Sequence, residues 1–167
     1  MSRLENTFSR TDLFRLTYAF AHCFIESYDE EPKCIVLDFD DTEDRVHGHQ
    51  QLSMFNGYYD EYCFMPLHIY EGFSGKLIST ILKPGKRLDG NGTLAILSRL
   101  IKYLRIYWKN TTIVFRGDSH FASPDVMEWI DIQENVFHVT GLASNNVLMK
   151  MAEKTIETAK KTFFQVA

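Results

Sequence analysis

Five acidic side chains crowd into residues 35–44, IVLDFDDTED, directly behind an apolar run. Like charges at that density repel, and a bound cation or a phosphoryl group is the usual physical reason to keep them together. Strand side chains alternate faces, which puts Asp38 and Asp40 on one side and Leu37 and Phe39 on the other. A second acidic signal is FRGDSHF, where Asp118 follows the apolar run Ile113-Val114-Phe115 at the expected carboxyl end of another strand. Reactive groups in open sheets gather at such strand ends. Hard cations take oxygen ligands, and one or two carboxylates with water or phosphate suffice to hold them. Asp40 and Asp118 are therefore candidate ligands for Mg²⁺ or Mn²⁺, although an isolated Asp after a strand is more often a turn residue or a helix cap. Asp41, Glu43 and Asp44 read as solvated loop charges. Arg116 reads as a phosphate contact or a surface ion pair.

The elements that must position these groups follow from periodicity. Leu13, Leu16, Phe20, Phe24 and Tyr28 recur at three- and four-residue steps behind possible caps at Thr11 or Asp12, which predicts an amphipathic helix. Residues 34–39 then read as a strand, 62–70 as a second, and GKLISTILKPG as a third behind a turn at Ser74-Gly75. Leu94, Leu97, Ile101, Leu104 and Trp108 mark a helix whose outer face carries Arg99, Lys102, Arg105 and Lys109. TTIVFRGDS returns to strand, and Ser123-Pro124 opens a helix running to about Glu134. VFHVTGLA is a fifth strand, and NNVLMKMAEKTIETAKKTF a final helix. Three strands in succession followed by two reached through helices imply an α/β fold with a mixed five-stranded sheet and flanking helices, the order of a ribonuclease H-like domain.

Bulk properties narrow the setting. The 167 residues suit one domain with a sizeable core, and 45% hydrophobic with 14% aromatic residues is a globular composition. A net charge of -4 argues against a protein that merely coats nucleic acid, but not against an enzyme acting on it. Cys23, Cys34 and Cys63 are scattered and odd in number, as expected of a reduced, cytoplasmic protein. The N-terminal residues lack a signal-peptide core, and no run approaches membrane-spanning length.

Two families offer a reading of Asp38-Phe39-Asp40-Asp41-Thr42. The pentapeptide fits the Asp-x-Asp-x-Thr signature of haloacid-dehalogenase-like phosphatases, in which Asp38 would be the nucleophile, Asp40 the general acid and Asp118 part of the metal site. That family places a helical crossover after its first strand, where two further strands are expected here, and Lys109 is only a loose match to its lysine. The longer text LDFDDTEDRVHGHQQ, FNGYYDEYCFMPLHIYEG, SGKLISTILKPGKR and RGDSHFASPDVMEW, in that order, resembles the DDE transposases of a bacterial insertion-sequence family. The likeness runs from about Arg3 through GLASNNVL.

That resemblance implies a ribonuclease H-like core over residues 32–167, preceded by a helical segment over residues 1–31. It implies metal-dependent DNA strand cleavage and transfer at a two-metal Mg²⁺ or Mn²⁺ centre. Asp40 matches the first catalytic aspartate, with Asp38 as the alternative, and Asp118 matches the second. DNA (transposon ends and target) is the implied partner, with possible homo-oligomer formation and no membrane association. The family also uses a third carboxylate, a glutamate on a later helix. Glu153 and Glu157 are the candidates within the chain, but the likeness favours a glutamate downstream of Ala167, leaving a truncated core inactive by itself or a remnant that binds DNA without cutting it. Lys83, Lys86 and Arg87 in KPGKR, Arg116, and His47 in VHGHQQ are candidate DNA contacts. His47 and His49 lack the further ligands a zinc site needs. Tyr58, Tyr59, Tyr62 and Phe64 could stack on bases, with core packing the alternative for at least half of them.

Overall fold

The computed structural model of the chain describes residues 9–48, 50, 53–141 and 145–166. Its central strand is β1 (Cys34–Asp41), whose alternation buries Ile35, Leu37 and Phe39 on one face and turns Asp38 and Asp40 to the other. After it come β2 (Asp44–Arg45), β3 (Met54–Asn56), β4 (Glu61–Phe64), β5 (Leu67–Glu71), β6 (Leu77–Ile81), β7 (Thr112–Gly117) and β8 (Val136–Thr140). Five of these form the main sheet in the order β6-β5-β1-β7-β8. β1 runs antiparallel to β5 and parallel to β7, and β8 extends the parallel half. The mixed five-stranded sheet expected from the element order is present.

The helices are α1 (Arg10–Glu26), α2 (Gly90–Tyr107), α3 (Pro124–Asp131) and α4 (Asn146–Val166). One core joins Phe24 and Ile25 of α1, Leu97, Ile101 and Leu104 of α2, and Val126 and Ile130 of α3 to the inward residues of β1, β5 and β7. These helices therefore cover the face that carries Leu37 and Phe115. On the opposite face Tyr70, Phe137 and Val139 remain exposed. α4 is exposed along most of its length, with Ala152 and Ile156 half-buried.

Local chemistry set several boundaries differently from the periodicity. The cap of α1 is Ser9, whose hydroxyl accepts from the Asp12 N–H while the Asp12 carboxylate accepts from the Ser9 N–H. Asp12 is thus the third helical residue of a capping box, not the cap. α3 begins as expected, with Ser123 accepting from Val126 N–H and Pro124 in the first turn, but ends at Asp131. The strand expected over residues 62–70 is two strands. Pro66 donates no hydrogen bond, so the chain breaks there, and β4 leaves to form a small separate sheet, β2-β4-β3, at the carboxyl end of β1. Ser74-Gly75 does make the β5–β6 turn, where Gly75 supplies a φ of +68.

Candidate active site

β1 and β7 are parallel neighbours, with pairing that runs through Asp38↔Arg116 to Phe39↔Gly117. One further step in that register sets Asp40 beside Asp118, and both are exposed. Gly117, just before the second carboxylate, packs closely on the turn that follows it. A Cβ there would lie 2.9 Å from Phe121 Cδ2, because the 3₁₀ turn Ser119–Phe121 folds back and seats Phe121 under the glycine on the core side. Phe121 also meets the Phe39 ring edge to face, with centroids 5.9 Å apart. Strand alternation carried one residue past β7 would set Asp118 on the side that Asp38 and Asp40 occupy.

Asp38 is already engaged. Arg116, its cross-strand partner, donates from Nε to Asp38 Oδ1 at 2.8 Å and from Nη2 to Oδ2. Of the two readings the sequence left open for Arg116, phosphate contact and surface ion pair, this two-point contact is the ion pair. It also occupies the carboxylate offered as the alternative first aspartate. Behind the pair, Glu71 is buried and accepts from the N–H groups of Val36, Phe73 and Ser74. Burial works to raise its pKa, but these hydrogen bonds outweigh it and hold the carboxyl below its ordinary value.

The largest departure from expectation is on the core side. Asp41, read from the sequence as a solvated loop charge, has a side chain only 2% exposed. Lys83 Nζ lies 3.0 Å from Asp41 Oδ1, and His120 Nε2 lies 3.3 Å from Oδ2. The Lys83 ammonium also donates to the Lys86 carbonyl at 3.1 Å and meets Oδ1 off the angle of a hydrogen bond, so among the described residues that oxygen has an ionic neighbour but no aligned donor. Lys83, expected on DNA phosphates, is instead buried and committed to Asp41. No local pattern marks this, because an Asp ending one strand and a Lys just past another look alike whether they meet water or each other.

The family model for transposase DDE domain group 1 matches residues 1–166. The chain belongs to this transposase DDE family. No curated protein sequence matches it. Among solved structures it is similar in fold to a piggyBac transposase synaptic complex with hairpin DNA, at a TM-score of 0.51 and 16% identity, covering 81% of this chain and 29% of that one. A Drosophila P element transposase strand transfer complex is similar at a TM-score of 0.39 and 13% identity, covering 80% of this chain and 34% of that one. A Mos1 mariner paired end complex with Mn is similar at a TM-score of 0.44 and 10% identity, covering 97% of this chain and 57% of that one. The fold is ribonuclease H-like, and the chain spans only 29% of the length of the piggyBac transposase it resembles. Family and topology together decide against the phosphatase reading of Asp38-Phe39-Asp40-Asp41-Thr42, since β1 leads into antiparallel strands and not into a helical crossover.

The transposase DDE domain exposes Lys86 and Arg87. They follow a tight bend in which Gly85 lies against the β3 and β4 backbones; a Cβ there would meet Cys63 O at 2.5 Å. The Arg87 guanidinium sits 5.2 Å from the centre of the Tyr58 ring. Tyr58 and Tyr62 are exposed and Tyr59 and Phe64 half-buried, so none of these aromatics is a core residue. A cavity of about 350 Å³ opens between this bend and residues 54–58. His47 is exposed on the loop after β2, and His49 lies outside the described residues. On the basic face of α2, Arg105 is not directed at a partner: its guanidinium donates to the carbonyls of Trp108, Thr111, Glu134 and Asn135. Glu153 and Glu157 are exposed on α4, and among the described residues no group of three or more His, Cys, Asp or Glu is arranged to hold a metal.

Proposed function

We propose that this chain carries the paired aspartates of a DNA strand-cleaving and strand-transferring centre, with Asp40 and Asp118 as ligands of Mg²⁺ or Mn²⁺. The observation that carries the reading is that both are exposed and sit one step past Phe39↔Gly117, the last pair of the β1–β7 ladder. An all-oxygen donor set open to water fits a hard cation that keeps part of its hydration or takes phosphate oxygens. The chemistry a divalent ion supplies there is Lewis-acid activation of a water or 3′-hydroxyl and stabilisation of the leaving oxygen. The chain's own contribution is to hold two carboxylates at neighbouring strand tips and to keep Asp38 on Arg116.

DNA is the partner in this reading, with Lys86 and Arg87 on its backbone and His47 at the margin of the contact. Assembly of two or more copies on the DNA belongs to the same reading. No helix among the described residues is long and apolar enough to cross a membrane. Cys23, Cys34 and Cys63 form no disulfide, which suits a cytoplasmic setting.

Mn²⁺-dependent nicking of supercoiled DNA tests the proposal. The activity should vanish in Asp40→Asn and in Asp118→Asn and persist at a reduced rate in Asp38→Asn. The exposed positions of Glu153 and Glu157 favour a second reading, a domain that binds DNA without cutting it. Retarded DNA migration with no Mn²⁺-dependent nicks would select that reading.

A further inference from the structure

Asp41, Lys83 and His120 stand outside the acidic pair, yet each tip of that pair is anchored by one of them. Asp41 directly follows Asp40, and His120 lies two residues after Asp118. We propose that Asp41 is a positioning residue whose buried carboxylate, held by Lys83 and His120, clamps the end of β1 to the turn after β7. The clamp sets the separation of Asp40 and Asp118. This inference rests on the reading of those two residues as a metal-binding pair.

The need for a clamp follows from the ladder. β1 stays paired with β5 through Asp40↔His68 and Asp41↔Leu67, so its tip is fixed on that side. On the other side the pairing with β7 stops at Phe39↔Gly117, and Asp118 already opens the 3₁₀ turn. No strand pairing therefore ties Asp40 to Asp118. Two contacts bridge that gap. Phe121, seated under Gly117, meets the Phe39 ring of β1 with centroids 5.9 Å apart, and the His120 ring reaches Asp41 at 3.3 Å while stacking against Phe121 with centroids 3.9 Å apart.

Strand alternation places Asp41 on the face opposite Asp40, so its carboxylate acts through the backbone and not as a ligand. Burial strengthens the contact, because charges removed from water are screened little. Apolar residues of similar volume could stabilise the fold as well as this ionic cluster does. What the cluster adds is a fixed geometry at the point where the ladder ends.

The test uses the whole 167-residue chain. Asp41→Asn is compared with a double variant, Asp41→Leu with Lys83→Met, which removes both buried charges and so preserves folding. Mn²⁺ titration followed by electron paramagnetic resonance should show the dissociation constant rising about 10–100-fold in both, as for other residues that orient metal ligands. Hydrogen exchange should accelerate by about tenfold or more at the Phe121 and Ala122 amides, which donate to the Asp118 and Ser119 carbonyls, while that of Ile35 and Ile113 stays unchanged. The thermal midpoint of the double variant should stay close to that of the wild type, which separates positioning from stability. A folded double variant with wild-type Mn²⁺ affinity, or unchanged exchange at Phe121 and Ala122, overturns the clamp. A wild-type chain that binds no Mn²⁺ overturns the metal-pair reading instead, and the exchange measurement then judges the clamp by itself.

Discussion

Replace Asp40 by Asn, and the metal-free protein should become more stable while losing its response to metal. Neighbouring strands lie about 4.8 Å apart, so carboxylates on Asp40 and Asp118 splay to about 5–7 Å. Two unit charges at about 6 Å repel by roughly 0.7 kcal/mol in bulk water and roughly 3 kcal/mol at an effective dielectric of 20. Both residues are exposed, so the relief lies near the lower figure, about 1 kcal/mol at low salt and less as salt screens it. Asn keeps the side-chain volume, and only the charge is removed. In a chain of this size about 1 kcal/mol raises the thermal midpoint by about 2–4 °C. Mn²⁺ at a hundred times its dissociation constant should stabilise the wild type by about 2.7 kcal/mol and the variant hardly at all. The order of stability should therefore invert between chelator and Mn²⁺. Urea denaturation followed by the fluorescence of Trp108 and Trp129 reads both states at low ionic strength. An Asp40→Asn protein less stable than wild type in chelator, or a wild-type midpoint that Mn²⁺ does not move, would refute the convergence of the two carboxylates.

Three further outcomes follow from particular side chains. Gly117→Ala places a Cβ 2.9 Å from the Phe121 ring, and overpacking of this kind costs about 1–3 kcal/mol; urea midpoints give the loss, and Mn²⁺ affinity should weaken as Asp118 shifts. Glu71 has a folded pKa below its ordinary value of 4.5, so the unfolded chain takes up the proton first. Its stabilisation is complete above the ordinary value and is lost as pH falls through the folded one. Glu71→Gln should cost about 1–2 kcal/mol at pH 7 and flatten the acid limb of the stability profile, as denaturation at pH 7 and pH 4 would show. Lys86→Ala with Arg87→Ala should weaken DNA binding uniformly across sequences and reduce the salt slope by about 0.9 for each phosphate no longer neutralised, whereas Lys83→Ala should leave the slope unchanged and lower the thermal midpoint.

Read from one end, the sequence determined much of this protein. The alternation around Asp38 and Asp40, the apolar run before Asp118 and the 3.6-residue stripes of α1 and α2 are local patterns, because side-chain period follows directly from backbone geometry. They were enough for the central strand, the mixed sheet and the two aspartates at strand ends. Ser123-Pro124 and Ser74-Gly75 likewise announced a helix start and a turn through their own chemistry. The small sheet β2-β4-β3 was illegible, since its strands are only two to four residues long and too short to show a period. Only the tertiary structure decided the fate of the charges. Arg116 and Asp38 lie far apart in the chain and become neighbours because β1 and β7 pair in parallel. Asp41, Lys83 and His120 come from three separate segments, and whether such groups meet water or one another depends on what packs over them. Burial is a property of the assembled fold, and no residue carries it alone.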